Sequence, residues 1–178
     1  DDLLAVLSLR FEIDHARARL SGNSTPFTPR STEDFSVPRA DVEIDFDMES
    51  ITKSEANGRP DSVYLWGTLT SIRNERVRQL LNNPSEDFYG FSIFEKNNTE
   101  AEALASFWTW AQDWIAKSKE HNFSLKFYCY HGDAENTAMK SVSTRSIGTI
   151  GVPSLDQIEE FKTSDYWLDI ENFVKKLI

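Results

Sequence analysis

Along residues 41–48 (DVEIDFDM), the apolar Val42, Ile44 and Phe46 alternate with acids. Successive side chains of a β-strand point to opposite faces. The alternation therefore predicts a first strand with one apolar face and one face that carries a row of carboxylates. Three further segments with strand-like alternation predict strands two, three and four: 63–71, 88–95 and 124–130.

Apolar residues at helical spacing predict several helices. Thr99 and Glu102 form the pattern of a capping box, in which each side chain hydrogen-bonds the backbone amide of the other residue. Apolar residues then recur on one face as far as Ile115, which predicts a helix that packs on the sheet. Four other segments are predicted to be helical: 3–20, 133–144, 151–164 and 165–178.

The predicted elements from residue 41 onward follow the order βββαβα, which indicates an α/β fold with a mixed sheet flanked by helices. Three consecutive strands pair as an antiparallel meander, and a right-handed helical crossover places strand four parallel to strand one. Residues 1–40 combine the first helix with a Pro- and Ser-rich strap or linker. Residues 41–178 form one domain, which we expect to be incomplete at its C-terminus because the sequence stops inside a predicted helix.

The composition narrows the class of protein. The chain has 178 residues, 39% of them hydrophobic, which is enough to bury one core. A single cysteine excludes an internal disulfide and favours a reducing, cytoplasmic location. No apolar run has the length of a membrane span. The net charge of −10 repels nucleic-acid phosphates unless metal ions or another domain reverse the local sign.

The acidic face of the first strand is the first candidate site. Asp47 and Glu49 are two residues apart and share a face, so both carboxylates can reach a pair of divalent cations about 3.5–4 Å apart. Asp45 could join them, whereas Asp41 and Glu43 lie too far back along the strand. The alternative is a half-exposed strand whose polar face simply meets water.

The second candidate lies where strand four meets the next helix. Glu135 falls in the first helical turn, where the helix dipole favours an anion. Parallel neighbours would bring this turn close to Asp47 and Glu49. An ordinary acidic helix start is the alternative, and His131 at the junction is either a ligand or base or a structural hydrogen-bonding residue. Asp169, flanked by Trp167 and Ile170, is either a solvated helix-face acid or an inward-pointing one.

Together, these motifs resemble a known family. The Asp47-x-Glu49 core resembles the first motif of RNase H-like 3′–5′ exonucleases of the DEDD type. The segment YHGDAEN is similar to their second motif, with Glu135 five residues after Tyr130, where the family has an Asp. Across roughly 37–178, the chain resembles the RNase H-like domain that follows a RecB-like nuclease domain in bacterial RecB-family nucleases. The segments that carry this likeness are VPRADVEIDFDMES, FYCYHGDAENTAMK and GVPSLDQIEEFKTSDYWLDI.

The resemblance implies a Mg²⁺- or Mn²⁺-dependent nuclease that cleaves phosphodiester bonds of DNA or RNA by a two-metal mechanism, as in DNA repair. Asp47, Glu49 and Glu135 would be the catalytic metal ligands, with Asp45 and Asp169 as lower-ranked ligands. The partners implied are nucleic acid and a RecB-like nuclease domain on the same longer chain. The family's third motif has no match before Ile178.

The alternative function is a catalytically degenerate module of the same RNase H-like fold. Such a module would dock a neighbouring domain or a partner, and its acids would be solvated or would bind a structural cation.

Overall fold

The structure is a computed structural model, which describes residues 37–51, 62–82, 86–94 and 99–175. The predicted helix at 3–20 and most of the predicted strap lie outside the described residues. The chain divides into two compact units, 38–171 and the two ends 1–37 and 172–178. All that follows concerns the larger unit, apart from the last residues of the final helix.

Five strands and five helices make up the described part of the chain. The strands are β1 (Val42–Ile51), β2 (Ser62–Ile72), β3 (Glu86–Ser92), β4 (Leu125–Cys129) and β5 (Trp167–Asp169). The helices are α1 (Glu75–Leu81), α2 (Glu100–His121), α3 (Gly132–Arg145), α4 (Leu155–Thr163) and α5 (Ile170–Lys175). None of the described helices is both long enough and apolar enough to cross a lipid bilayer.

The five strands form one mixed sheet in the order β3-β2-β1-β4-β5. β1 pairs antiparallel with β2, which pairs antiparallel with β3, so the predicted meander is confirmed. β4 lies parallel to β1, with Asp45 in register with Tyr128, which confirms the predicted crossover pairing. β5 extends the parallel part of the sheet beyond β4. The α/β class and the mixed sheet are therefore as predicted.

The alternation in β1 has the predicted effect. Val42, Ile44 and Phe46 are at most 4% exposed and face the helical layer. Phe107 of α2 meets this face, with its ring centroid 5.7 Å from that of Phe46 and 5.5 Å from that of Trp66. Burial of large aromatic side chains is the main favourable term in such a core. The polar residues of β1 consequently lie on the opposite face of the sheet.

α2 begins as its sequence predicts. The Thr99 hydroxyl accepts a hydrogen bond from the Glu102 amide at 3.2 Å, and the Glu102 carboxylate accepts one from the Thr99 amide at 2.6 Å. The helix ends at His121 and is capped by Asn122, whose φ of 54° is left-handed. Trp108 and Trp114 are buried on its inner face, as their helical spacing predicts.

Two elements differ from the sequence prediction. α1 lies within 72–86, a polar stretch to which no element was assigned; it is seven residues long and Val77 is its one buried residue. β5 lies within 165–178, which was predicted to be helical throughout. The prediction was wrong there because three strand residues are too few to separate a period of 2 from one of 3.6.

The capping box predicts a measurable contribution to stability. Replacing Thr99 with Ala removes the acceptor for the Glu102 amide, and we expect the free energy of unfolding to fall by about 1 kcal/mol. Urea denaturation followed by circular dichroism measures this change.

Thr109→Ala is the matched control, because Thr109 is an exposed residue inside the same helix and bonds only the carbonyl of Ala105. Alanine has the higher helix propensity, so this variant should be neutral or slightly stabilised. Equal losses in the two variants would contradict a specific role for the cap.

Candidate active site

The first acid of the β1 region, Asp41, is a structural clamp. Its carboxylate accepts hydrogen bonds from the Ser124 amide at 2.9 Å, the Ser124 hydroxyl at 2.8 Å and the Asn74 side-chain amide at 2.7 Å. The bond from Asn74, followed by that from the Ser124 backbone, lowers the pKa of Asp41. Asp41 therefore ties the start of β1 to the start of β4.

The negative charge of Glu43 is compensated by neighbouring arginines. It is only 4% exposed, and its carboxylate forms ion pairs with Arg73 and, at 3.2 Å, with Arg39. The hydroxyl of Tyr128 lies 3.4 Å from the same carboxylate. Burial of a carboxylate is tolerated when opposite charges and hydrogen bonds surround it. Asp41 and Glu43 thus belong to the framework, in agreement with their exclusion from the predicted site.

Asp45, Asp47 and Glu49 remain on the exposed face of β1. They line one side of an open cavity of about 410 Å³, on the face of the sheet opposite to α2. Partial desolvation and the nearby charge of Glu43 raise the pKa of Asp45. Apolar side chains from three other strands or their ends also line this cavity: Leu69, Phe88 and Tyr130. The cavity therefore combines carboxylates with exposed aromatic rings.

Glu135 lies in the first turn of α3, as predicted, and is only 3% exposed. Its pKa is raised to about 7, mainly by desolvation and also by the negative charges of Asp47 and Asp169, which together outweigh the lowering by a backbone hydrogen bond and His131. Its Oε2 atom is buried and has no hydrogen-bond partner among the described residues. A buried carboxylate oxygen without a partner is unfavourable, so this atom is a candidate ligand donor.

Asp169 is the last residue of β5, in register with Cys129 at the end of the parallel β4. A Cβ atom built on Gly132, the first residue of α3, would lie 2.6 Å from Asp169 Oδ2. The Asp169 carboxylate therefore sits directly against the start of α3. Of the two alternatives for this residue, the solvated helix-face acid is wrong, because Asp169 ends a strand and is partly buried.

His131 and Asp133 are each paired within the larger unit. The His131 Nδ1 atom lies 2.6 Å from Glu171 Oε2, and the Lys162 ammonium lies 2.9 Å from Asp133 Oδ1. The structural alternative for His131 is thus supported by a short hydrogen bond. Asp133, although in the same helical turn as Glu135, has its charge compensated.

The parallel strands explain how acids from distant segments meet. β1, β4 and β5 run in the same direction, so their C-terminal ends lie at the same edge of the sheet. Asp47 lies just beyond the part of β1 that pairs with β4, Asp169 ends β5, and Glu135 lies in the first turn of the helix that follows β4. In keeping with this arrangement, the negative charges of Asp47 and Asp169 both raise the pKa of Glu135.

These carboxylates do not form a finished metal site. Within 37–51, 62–82, 86–94 and 99–175, no three Asp, Glu, His or Cys side chains are spaced to hold one ion. Strand direction places the predicted acids Asp47, Glu135 and Asp169 towards the same edge of the sheet. Glu49 and Asp45 line the adjoining cavity.

Sequence reasoning gave no role to Gly132. The residues next to Gly132 in the sequence give no sign that a carboxylate lies against it. The one available signal is the glycine itself, which stands between a strand end and a helix start, where close packing often excludes a larger side chain.

No protein-family model, curated protein or solved structure matches the chain.

The burial of Glu135 predicts a pH-dependent stability in protein freed of divalent cations. Its folded-state pKa of about 7 lies above the unfolded value of 4.5. Protonated Glu135 therefore favours the folded state, and this contribution is fully present below pH 4.5. As pH rises through 7 the contribution is lost, which lowers the free energy of unfolding by up to about 3 kcal/mol. Chemical denaturation between pH 4 and pH 8, with EDTA present, measures it.

Glu135→Gln should remove this pH-dependent contribution, because the amide does not ionise. Glu160→Gln is the matched control, since Glu160 is exposed on α4. Its pH profile should follow that of the wild type. Identical profiles for wild type and Glu135→Gln would show that Glu135 titrates normally.

Proposed function

We propose that this chain is the RNase H-like domain of a metal-dependent nuclease that hydrolyses phosphodiester bonds of DNA or RNA. The observation that carries the proposal is that three acids from separate segments lie towards one edge of the parallel strands. Asp47 is on β1, Asp169 ends β5 against Gly132, and the buried Glu135 follows in the helix that Gly132 begins. Neighbouring carboxylates repel one another, which destabilises the folded protein unless a bound cation compensates their charge.

The architecture supports the proposal at the level of the fold. The resemblance implies a mixed sheet flanked by helices, and the sequence pattern predicts a βββαβα frame in which strand four lies parallel to strand one. The observed meander of β1, β2 and β3 and the parallel β1–β4 pair agree with that frame. A fold alone does not define an activity, so the argument for a nuclease rests on the acids.

The donor chemistry fits Mg²⁺ or Mn²⁺. Both ions prefer carboxylate oxygens, and Glu135 offers a buried oxygen that lacks a partner among the described residues. The residues that would hold the ions are Asp47, Glu49, Glu135 and Asp169, with Asp45 at the rim. Bound ions would activate a water molecule and stabilise the leaving oxygen of the cleaved ester. Loading requires side-chain rearrangement, since no group of three is already spaced for an ion in the described residues.

The cavity beside the acids has the properties needed to orient a nucleic acid. Phe88 is 68% exposed and Tyr130 is 72% exposed, and both line the cavity together with Asp47. Exposed aromatic rings stack on unpaired bases, which holds a strand without reading its sequence. The carboxylates and rings would thus act on the phosphate and the base of the same nucleotide.

One observation favours the alternative, a domain-docking module. Leu69 and Phe88 are exposed apolar side chains on adjacent strands that line the same cavity. Exposed apolar patches often mark protein interfaces. In this case the cavity would be covered by a neighbouring domain, such as a RecB-like nuclease domain on a longer chain, and the acids would play no part in cleavage.

The nuclease proposal predicts the effect of the double variant Asp47→Asn with Glu49→Gln. Loss of groups that stabilise transition-state charge typically lowers kcat by about 10²- to 10³-fold, and at least this loss is expected. Metal-free thermal stability should hold or rise, because two repelling charges are removed. Mg²⁺-dependent cleavage of labelled oligonucleotides by the full-length protein, together with melting curves, measures both.

Asp113→Asn is the matched control, since Asp113 is an exposed acid on α2 that pairs with Lys117. It should cleave like the wild type. If the double variant keeps its cleavage activity, or if Mn²⁺ leaves the melting temperature of the wild type unchanged, the docking function is the better explanation.

A further inference from the structure

We propose that Gly132 and the His131–Glu171 pair are positioning residues that hold the Asp169 carboxylate in place at the site. The effect on metal binding rests on the proposed function, whereas the position of the Asp169 carboxylate can be tested without it. It assigns roles to two residues at the β4–α3 junction and to one just after β5.

Gly132 provides the space that Asp169 occupies. A Cβ at this position would lie 2.6 Å from Asp169 Oδ2 and 3.0 Å from Cys129 Sγ. Real Cβ contacts are longer than this, so any larger residue would displace the carboxylate. The φ angle of Gly132 is not in the left-handed region. Glycine is therefore required here by the closeness of Asp169 and not by the backbone conformation.

The His131–Glu171 pair fixes the segment that carries Asp169. Glu171 follows Asp169 by two residues, and its Oε2 lies 2.6 Å from His131 Nδ1. Its backbone amide also donates a hydrogen bond of 3.1 Å to the carbonyl of Tyr130. Two bonds at one residue thus tie the end of β5 to the residues that precede Gly132.

These contacts are needed to hold Asp169 because β5 is only three residues long. Among the described strands it pairs with β4 alone, as the last strand of the sheet. A short edge strand is held by few backbone bonds and frays easily. A metal-binding carboxylate, in contrast, must be held within about 0.5 Å of its working position. The bonds at Glu171 and the close fit at Gly132 supply that restraint.

The first test is Gly132→Ala. In crystals of the metal-free variant, the Asp169 carboxylate should be displaced by about 1 Å or more, a shift large enough to impair a site. Mn²⁺ affinity, measured by calorimetry, should fall about tenfold or more, as is typical when a supporting residue of a metal site is lost. Gly90→Ala is the matched control, because the added Cβ meets only the flexible end of Leu65, at 3.1 Å.

A double-variant cycle separates positioning from general destabilisation. If Gly132 acts through Asp169, then Gly132→Ala should lower Mn²⁺ affinity no further once Asp169→Ala is present. The double variant should also regain stability relative to Gly132→Ala, since the displaced carboxylate is gone. Additive losses of affinity would overturn the proposed role of Gly132.

The His131–Glu171 pair is tested by rescue. His131→Ala should displace Asp169 and lower Mn²⁺ affinity, and His131→Asn should restore both, because its amide can donate from near the Nδ1 position. His121→Ala is the matched control, since His121 lies at the end of α2 and its nearest acid, Glu120, is 3.9 Å away. Failure of His131→Asn to restore Asp169 would overturn the role of the pair.

The metal-free structures keep this proposal separate from the nuclease proposal. An unmoved Asp169 in both Gly132→Ala and His131→Ala refutes the positioning role, whatever Mn²⁺ does. A displaced Asp169 in a protein whose wild type binds no Mn²⁺ supports the positioning contacts and refutes the metal-dependent function.

Discussion

β1 lies at the centre of the sheet, hydrogen-bonded to the antiparallel β2 on one side and to the parallel β4 on the other. The parallel pairing has the larger consequence. Parallel strands end at the same edge, so the chain after β4 and the end of β5 are brought to the place where Asp47 lies. If β4 ran the other way, Glu135 would start its helix at the opposite edge. The candidate site therefore follows from strand direction more than from any single contact.

The acids of the first strand serve two different purposes. Near its start, Asp41 and Glu43 are surrounded by hydrogen-bond donors and arginines, so their charges stabilise the framework. From Asp45 onward this compensation ends, and the carboxylates of Asp45, Asp47 and Glu49 line the open cavity. The change from paired to repelling acids occurs within a few residues of one strand. A net charge of −10 does not by itself explain why the uncompensated acids lie at one end of the strand.

Local patterns in the sequence were sufficient for the longer elements. The alternation in β1 and the capping box at Thr99 each involve neighbouring residues, and both were read correctly. β5 was missed because Trp167, Leu168 and Asp169 fit a helical face as well as a strand. The burial of Glu135 and the contact of Asp169 with Gly132 depend on how separate segments pack, and no local pattern encodes them. Local patterns in the sequence therefore indicated the strand of Asp47 and the helical turn of Glu135, but not the contact of Asp169 with the start of α3.

The same crowding of acids affects the single thiol of the chain. Cys129 is 2% exposed, and desolvation, together with the charges of Glu135 and Asp169, raises the pKa of its thiol far above the ordinary value. Only a thiolate attacks oxidants and alkylating reagents at an appreciable rate. The thiol of the folded protein should therefore react very slowly. The rate of its alkylation by iodoacetamide would measure how often the β4–α3 junction opens.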